Sequence, residues 1–130
     1  MKKAIWMISL LFLTACSREV SIEPEEINPD IDVCVVCNMS ITEKNYATEM
    51  IMKDGEIYKF DDIGCMMEYM HKHGEEKESI AAKYVRDVNS GKWIKLEDAY
   101  YAYHKEFWTP MAYGVVSFAK KEDAEKFVAE

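Results

Sequence analysis

The sequence has no apolar run long enough to cross a bilayer. Its one nearly unbroken apolar stretch, residues 4–13, falls short of the roughly 20 residues a membrane-spanning helix needs. Its five glycines form no phosphate-cradling loop. No Ser/His/Asp grouping or paired-carboxylate signature stands out, so nothing in the chain asks for an enzyme. Basic residues are scarce, 16 against 24 acidic, for a net charge of −8. Such a surface repels nucleic acid and anionic lipid heads. A second C-x-x-C is also missing, which removes the paired-cysteine pattern of a structural zinc site.

What is present begins with an address. Lys2 and Lys3 precede the apolar stretch, which ends in Leu13-Thr14-Ala15-Cys16. Small residues directly before a cysteine read as a lipoprotein cleavage box, because an ordinary signal peptide needs only the small residues. Residues 1–15 are therefore expected to be a lipoprotein signal peptide, with Cys16 as the lipidated N-terminus. The protein would be held to a bacterial membrane without spanning it, facing the periplasm or extracytoplasmic space. The 115 residues that remain suit one domain or two very small ones. Without Lys2 and Lys3, 14 basic residues face 24 acidic ones, a net charge of −10.

Residues 16–32 are polar and acidic with Pro24 and Pro29, and read as a flexible tether. Residues 47–53 and 56–60 form a predicted hairpin about Asp54-Gly55, the pair favoured in two-residue turns. Thr48, Met50 and Met52 share one strand face. Asp61 or Asp62 is placed to cap a helix. Ile63, Met66, Met67 and Met70 form its apolar stripe at i, i+3, i+4 and i+7, and Gly74 ends it. Residues 82–88 and 92–96 predict a second hairpin around Asn89-Ser90-Gly91. Residues 97–107 carry four aromatics in no assignable pattern. Residues 113–118 predict a strand, and 121–130 a helix with Ala124, Phe127 and Val128 inward. The expectation is an α+β fold of two small, similar ββα(β) units, residues 33–79 and 80–130.

With Cys16 set aside, Cys34, Cys37 and Cys65 are left. An odd count in an exported chain leaves at least one thiol free, paired between chains, or chemically used. Cys34-Val35-Val36-Cys37-Asn38-Met39 joins two thiols to a nearby thioether, and soft sulfur donors suit Cu(I). Zinc would need Cys65 and a histidine to complete four ligands. Two rivals stay open at this point, a structural disulfide and thiol–disulfide redox chemistry at Cys34/Cys37. The redox rival lacks the strand-then-helix context that lowers a thiol pKa. Met111 sits on a loop stiffened by Pro110, which makes it a ligand candidate. The stripe and strand methionines are expected in the core. Cys65 lies in the first turn of the predicted helix, either as an inert core thiol or near the pair. His71, His73 and His104 show no ligand spacing and read as structural or solvated.

Taken in order, the lipobox, the 34–39 motif, Phe60-Asp61-Asp62-Ile63-Gly64-Cys65-Met66 and Thr109-Pro110-Met111-Ala112-Tyr113-Gly114 resemble the NosL family of nitrous-oxide reductase accessory lipoproteins. The resemblance implies a Cu(I) chaperone serving the copper centre of nitrous-oxide reductase, together with a membrane ABC-type maturation complex. It implies a fold related to organomercurial lyase. It also makes Cys37, Met39 and Met111 the leading metal ligands, with Cys34 and Cys65 as further candidates. The family motif has glycine where this chain has Asn38, a residue that tolerates a left-handed backbone.

Overall fold

The computed structural model describes residues 19–130; the expected signal peptide and Cys16 lie outside the described residues. Strand β1 (Thr48–Met52) turns at Asp54-Gly55 into β2 (Ile57–Phe60). Gly55 takes φ +92°, and the Asp54 carboxylate accepts the Glu56 N–H at 2.9 Å. Helix α1 (Ile63–Lys72) follows at once, with Asp62 as its N-cap accepting the Gly64 N–H. A short 3-10 turn (Gly74–Ser79) leads to β3 (Ile80–Arg86) and β4 (Trp93–Lys95). The aromatic stretch without a readable pattern contains a 3-10 turn (Leu96–Asp98) and β5 (Tyr100–Tyr103). Loop 104–114 then connects to β6 (Val115–Phe118) and α2 (Lys121–Ala129). Among the described residues no helix is long and apolar enough to cross a membrane.

The sheet does not divide where the two predicted units meet at residues 79/80. Strand β3 pairs antiparallel with β1, giving one four-stranded sheet in the order β2-β1-β3-β4, while β5 and β6 form a separate pair. All five residues of β1 are buried, so β1 needs partners on both edges and cover on both faces. Such a pairing, across an intervening helix, leaves no trace in local periodicity. The repeated ββα pattern is therefore β1-β2-α1 and β5-β6-α2, with the β3–β4 hairpin added to the first.

One face of this sheet meets α1, where Tyr58 and Phe60 pack their rings against Tyr69. The other meets residues 22–32, which are docked and not a free tether. Ile27 is buried, the Glu25 N–H donates to Glu49 at 2.9 Å, and the Tyr84 hydroxyl donates to the Ile22 carbonyl at 2.7 Å. Lys59 pairs with Glu25 and Asp32, and Arg86 with Glu26. The segment is fixed by main-chain and charge contacts, which is why it shows no apolar period. Two predicted inward residues, Met67 and Val128, face solvent. A helix on a small sheet buries a narrower stripe than i, i+3, i+4, i+7 allows, and the inner place on α1 goes to Cys65.

Candidate metal centre

Three segments meet at the α1 end of β2. The first is a tight turn closed by the Val33–Ser40 bridge. In it the Cys34 N–H donates to the Met39 carbonyl, and the Asn38 N–H to the Cys34 carbonyl, both at 2.9 Å. Asn38 takes φ +59°, the left-handed conformation that glycine meets without strain and asparagine better than most residues. The Val35 N–H donates to the Lys59 carbonyl and ties the turn to β2.

The second segment is Asp61-Asp62 with the first turn of α1. Successive residues of an extended chain point to opposite sides, so the two carboxylates part company. Asp62 caps the helix through Oδ1 and accepts the Met111 N–H through Oδ2 at 2.9 Å. Asp61 turns to the thiols, where the Cys37 S–H donates to its Oδ2 at 3.3 Å.

The third segment is the loop after Thr109. The Ala112 N–H donates to the Thr109 carbonyl, and the Gly114 N–H to the Thr109 hydroxyl. Ala112 and Gly114 both have positive φ, +61° and +71°. The Tyr113 ring lies over Gly64 so closely that a Cβ there would sit 1.9 Å from it. The Tyr113 hydroxyl donates to Glu68. This loop is thereby clamped to α1 at both ends of the Tyr113 side chain.

At the junction, Cys34, Cys37 and Cys65 are free thiols. Their sulfurs and one carboxylate oxygen of Asp61 all lie within 4.8 Å of one another. Cys34, Cys65 and Asp61 are buried, and Cys37 is half-buried. Met39 is exposed beside the cluster, sharing with Asp61, Trp108 and Pro110 the wall of a cavity of about 160 Å³. Met111 packs against the same core as Cys37. The five sulfur residues singled out from sequence thus lie on three segments that meet, with the cysteines clustered and the two methionines at the edge.

The thiols are not equivalent. Cys34 is pulled down to about 6 because the Cys65 thiol donates to it, helped by the N–H groups of Cys37, Asp61 and Val36, while burial opposes the shift. Burial pushes Cys37 up to about 11. Cys65 is pushed up, first by its hydrogen bond to Cys34 and then by burial. The trio therefore holds its first negative charge on Cys34. Cys37 and Cys65 give up their protons when a cation replaces them, so metal binding would release protons.

The model of the NosL family matches residues 24–130. The chain belongs to the NosL family. No curated protein sequence matches it. Among solved structures, that of the copper chaperone NosL from Shewanella denitrificans has a TM-score of 0.72 at 20% identity, covering 82% of this chain and 86% of that one. At that identity the match shows a shared fold.

Asp61 is the residue of this NosL-family centre that sequence reasoning missed. The signal was the doubling itself, since one aspartate suffices to cap a helix and the other must point elsewhere. His73 forms a separate group with Glu75 and Glu76 at the far end of α1, away from the sulfur cluster. His71 is exposed, and His104 lies against Phe107.

Proposed function

We propose that the protein is a membrane-anchored Cu(I) carrier that delivers copper for assembly of the copper centre of nitrous-oxide reductase, in concert with that enzyme's ABC-type maturation complex. The cargo ion is held by the Cys37 thiolate and the Met39 and Met111 thioethers, and Cys16 carries the lipid. The observation that supports this best is the meeting of the 34–39 turn and the Met111 loop on the adjacent carboxylates of Asp61 and Asp62. A soft monovalent ion favours thiolate and thioether sulfur. Two neutral thioethers and an exposed Met39 leave the ion open to attack by an incoming ligand, one donor at a time. Family membership and the fold shared with a copper chaperone point the same way. Holding the carrier at the membrane raises its effective concentration near a membrane-bound client.

The rival, thiol–disulfide exchange at Cys34/Cys37, has a lowered thiol pKa in its favour. It needs that thiolate to reach an outside disulfide, and Cys34 is 0% exposed. The test is an anaerobic Cu(I) titration against a chromophoric chelator. Cys37→Ser and Met111→Leu should each weaken binding at least about tenfold, some 1.4 kcal/mol. Unchanged affinity in both variants rejects the ligand set.

A further inference from the structure

The same cluster contains a second complete donor set that uses no methionine. We propose that Cys34, Cys37, Asp61 and Cys65 form a closed, four-donor tetrahedral site for a divalent ion of the zinc class. This inference is independent of the copper reading, because only Cys37 is common to both sets.

Geometry is the first ground. A tetrahedral zinc ion lies about 2.3 Å from sulfur and about 2.0–2.2 Å from oxygen, which puts its donors roughly 3.5–3.8 Å apart. The three sulfurs and the Asp61 oxygen already lie within 4.8 Å of one another, so closure takes side-chain adjustments of about an ångström. The C-x-x-C turn supplies two donors, the end of β2 a third and the first turn of α1 the fourth.

The carboxylate is the second ground. Asp61 is 5% exposed, and its Oδ1 is buried with no hydrogen-bond partner. Its Oδ2 has only the Cys37 S–H, a weak donor. Among the described residues no cationic side chain pairs with it. A buried acceptor without a partner carries a desolvation cost, and a cation among the thiols removes that cost. The third ground is charge and softness. Three thiolates and a carboxylate carry four negative charges, so a divalent ion leaves less uncompensated charge in a buried place than a monovalent one. Oxygen in the set suits a borderline ion over Cu(I). Half-buried Cys37 gives the entry path. Because Cys37 belongs to both sets, the two ions exclude one another.

Cobalt(II) is the probe. The full chain in detergent, reduced and under argon, should take up one equivalent with thiolate-to-cobalt charge-transfer bands and the intense visible bands of a tetrahedral ion. X-ray absorption of the zinc-loaded chain should find three sulfurs and one light donor. Asp61→Asn and Cys65→Ser should weaken zinc at least about tenfold, since loss of mere outer-sphere partners costs 10–100-fold. Met39→Leu and Met111→Leu should leave the cobalt spectrum unchanged even where they weaken Cu(I). Weak octahedral bands, fewer than three sulfurs, or a cobalt spectrum altered by Met111→Leu would overturn the site. The absorption measurement on the unaltered chain decides the matter even if a core variant fails to fold.

Discussion

Asp62, Gly64 and Tyr113 together fix where Met111 stands. Asp62 spends one oxygen on the helix cap and the other on the Met111 N–H, and the absence of a side chain at Gly64 lets Tyr113 lie flat on α1. Gly64→Ala places a methyl inside the Tyr113 ring, so the ring and its loop must swing away. The expected cost is about 1–3 kcal/mol, as for overpacked sites, together with weaker Cu(I) binding. In the Gly64→Ala/Tyr113→Ala pair the steric part vanishes, so the two losses should fall well short of adding. Thermal melts and Cu(I) titrations of the three variants measure it; strict additivity would mean that Tyr113 does not position the loop. Asn38 shows how a residue choice was legible beforehand, because its left-handed turn follows from side-chain chemistry at one position. Asp61 was not, because its role depends on which side of the chain the next residue takes.

Among the elements, the β1-β2-α1 unit was the most readable, since a D-G turn, strand alternation and a capped apolar stripe are all local. The β1–β3 pairing was not, being a contact between segments separated by a helix. The docked segment 22–32 was hidden for a different reason, as charge and main-chain bonds hold it to the sheet. Glu49 sits under it, 0% exposed, with Oε1 unpartnered. Burial pushes Glu49 up to about 7 from an ordinary 4.5, against the opposing pull of the Glu25 N–H. Between those values the folded chain holds a proton that the unfolded chain has released. Its contribution to stability is therefore complete below pH 4.5 and is lost as pH rises through 7. Urea unfolding across pH 4.5–8 should show that decline, and Glu49→Gln should flatten it and be the more stable protein at pH 8. A wild-type profile equal to that of Glu49→Gln would show that Glu49 is charged in the folded state throughout.

For the molecule as a whole, the docked segment sets how far the domain can stand from a membrane. Six residues separate Cys16 from Ile22, whose carbonyl is already bound to Tyr84. Fully extended they span at most about 20 Å. With Cys16 lipidated, as proposed, the carrier works close to the bilayer, within reach of a client embedded there. Cys16→Ala should move the protein from the membrane fraction to the soluble extracytoplasmic fraction without changing Cu(I) affinity; retention at the membrane would refute the anchor.

The account rests on sulfur atoms from two distant loops gripping one reduced ion. Copper K-edge absorption of the Cu(I)-loaded full chain tests that directly. The prediction is a first shell of three sulfurs with no nitrogen or oxygen, falling to two sulfurs in Met111→Leu. A shell containing light donors, or one that Met111→Leu leaves unchanged, would contradict it.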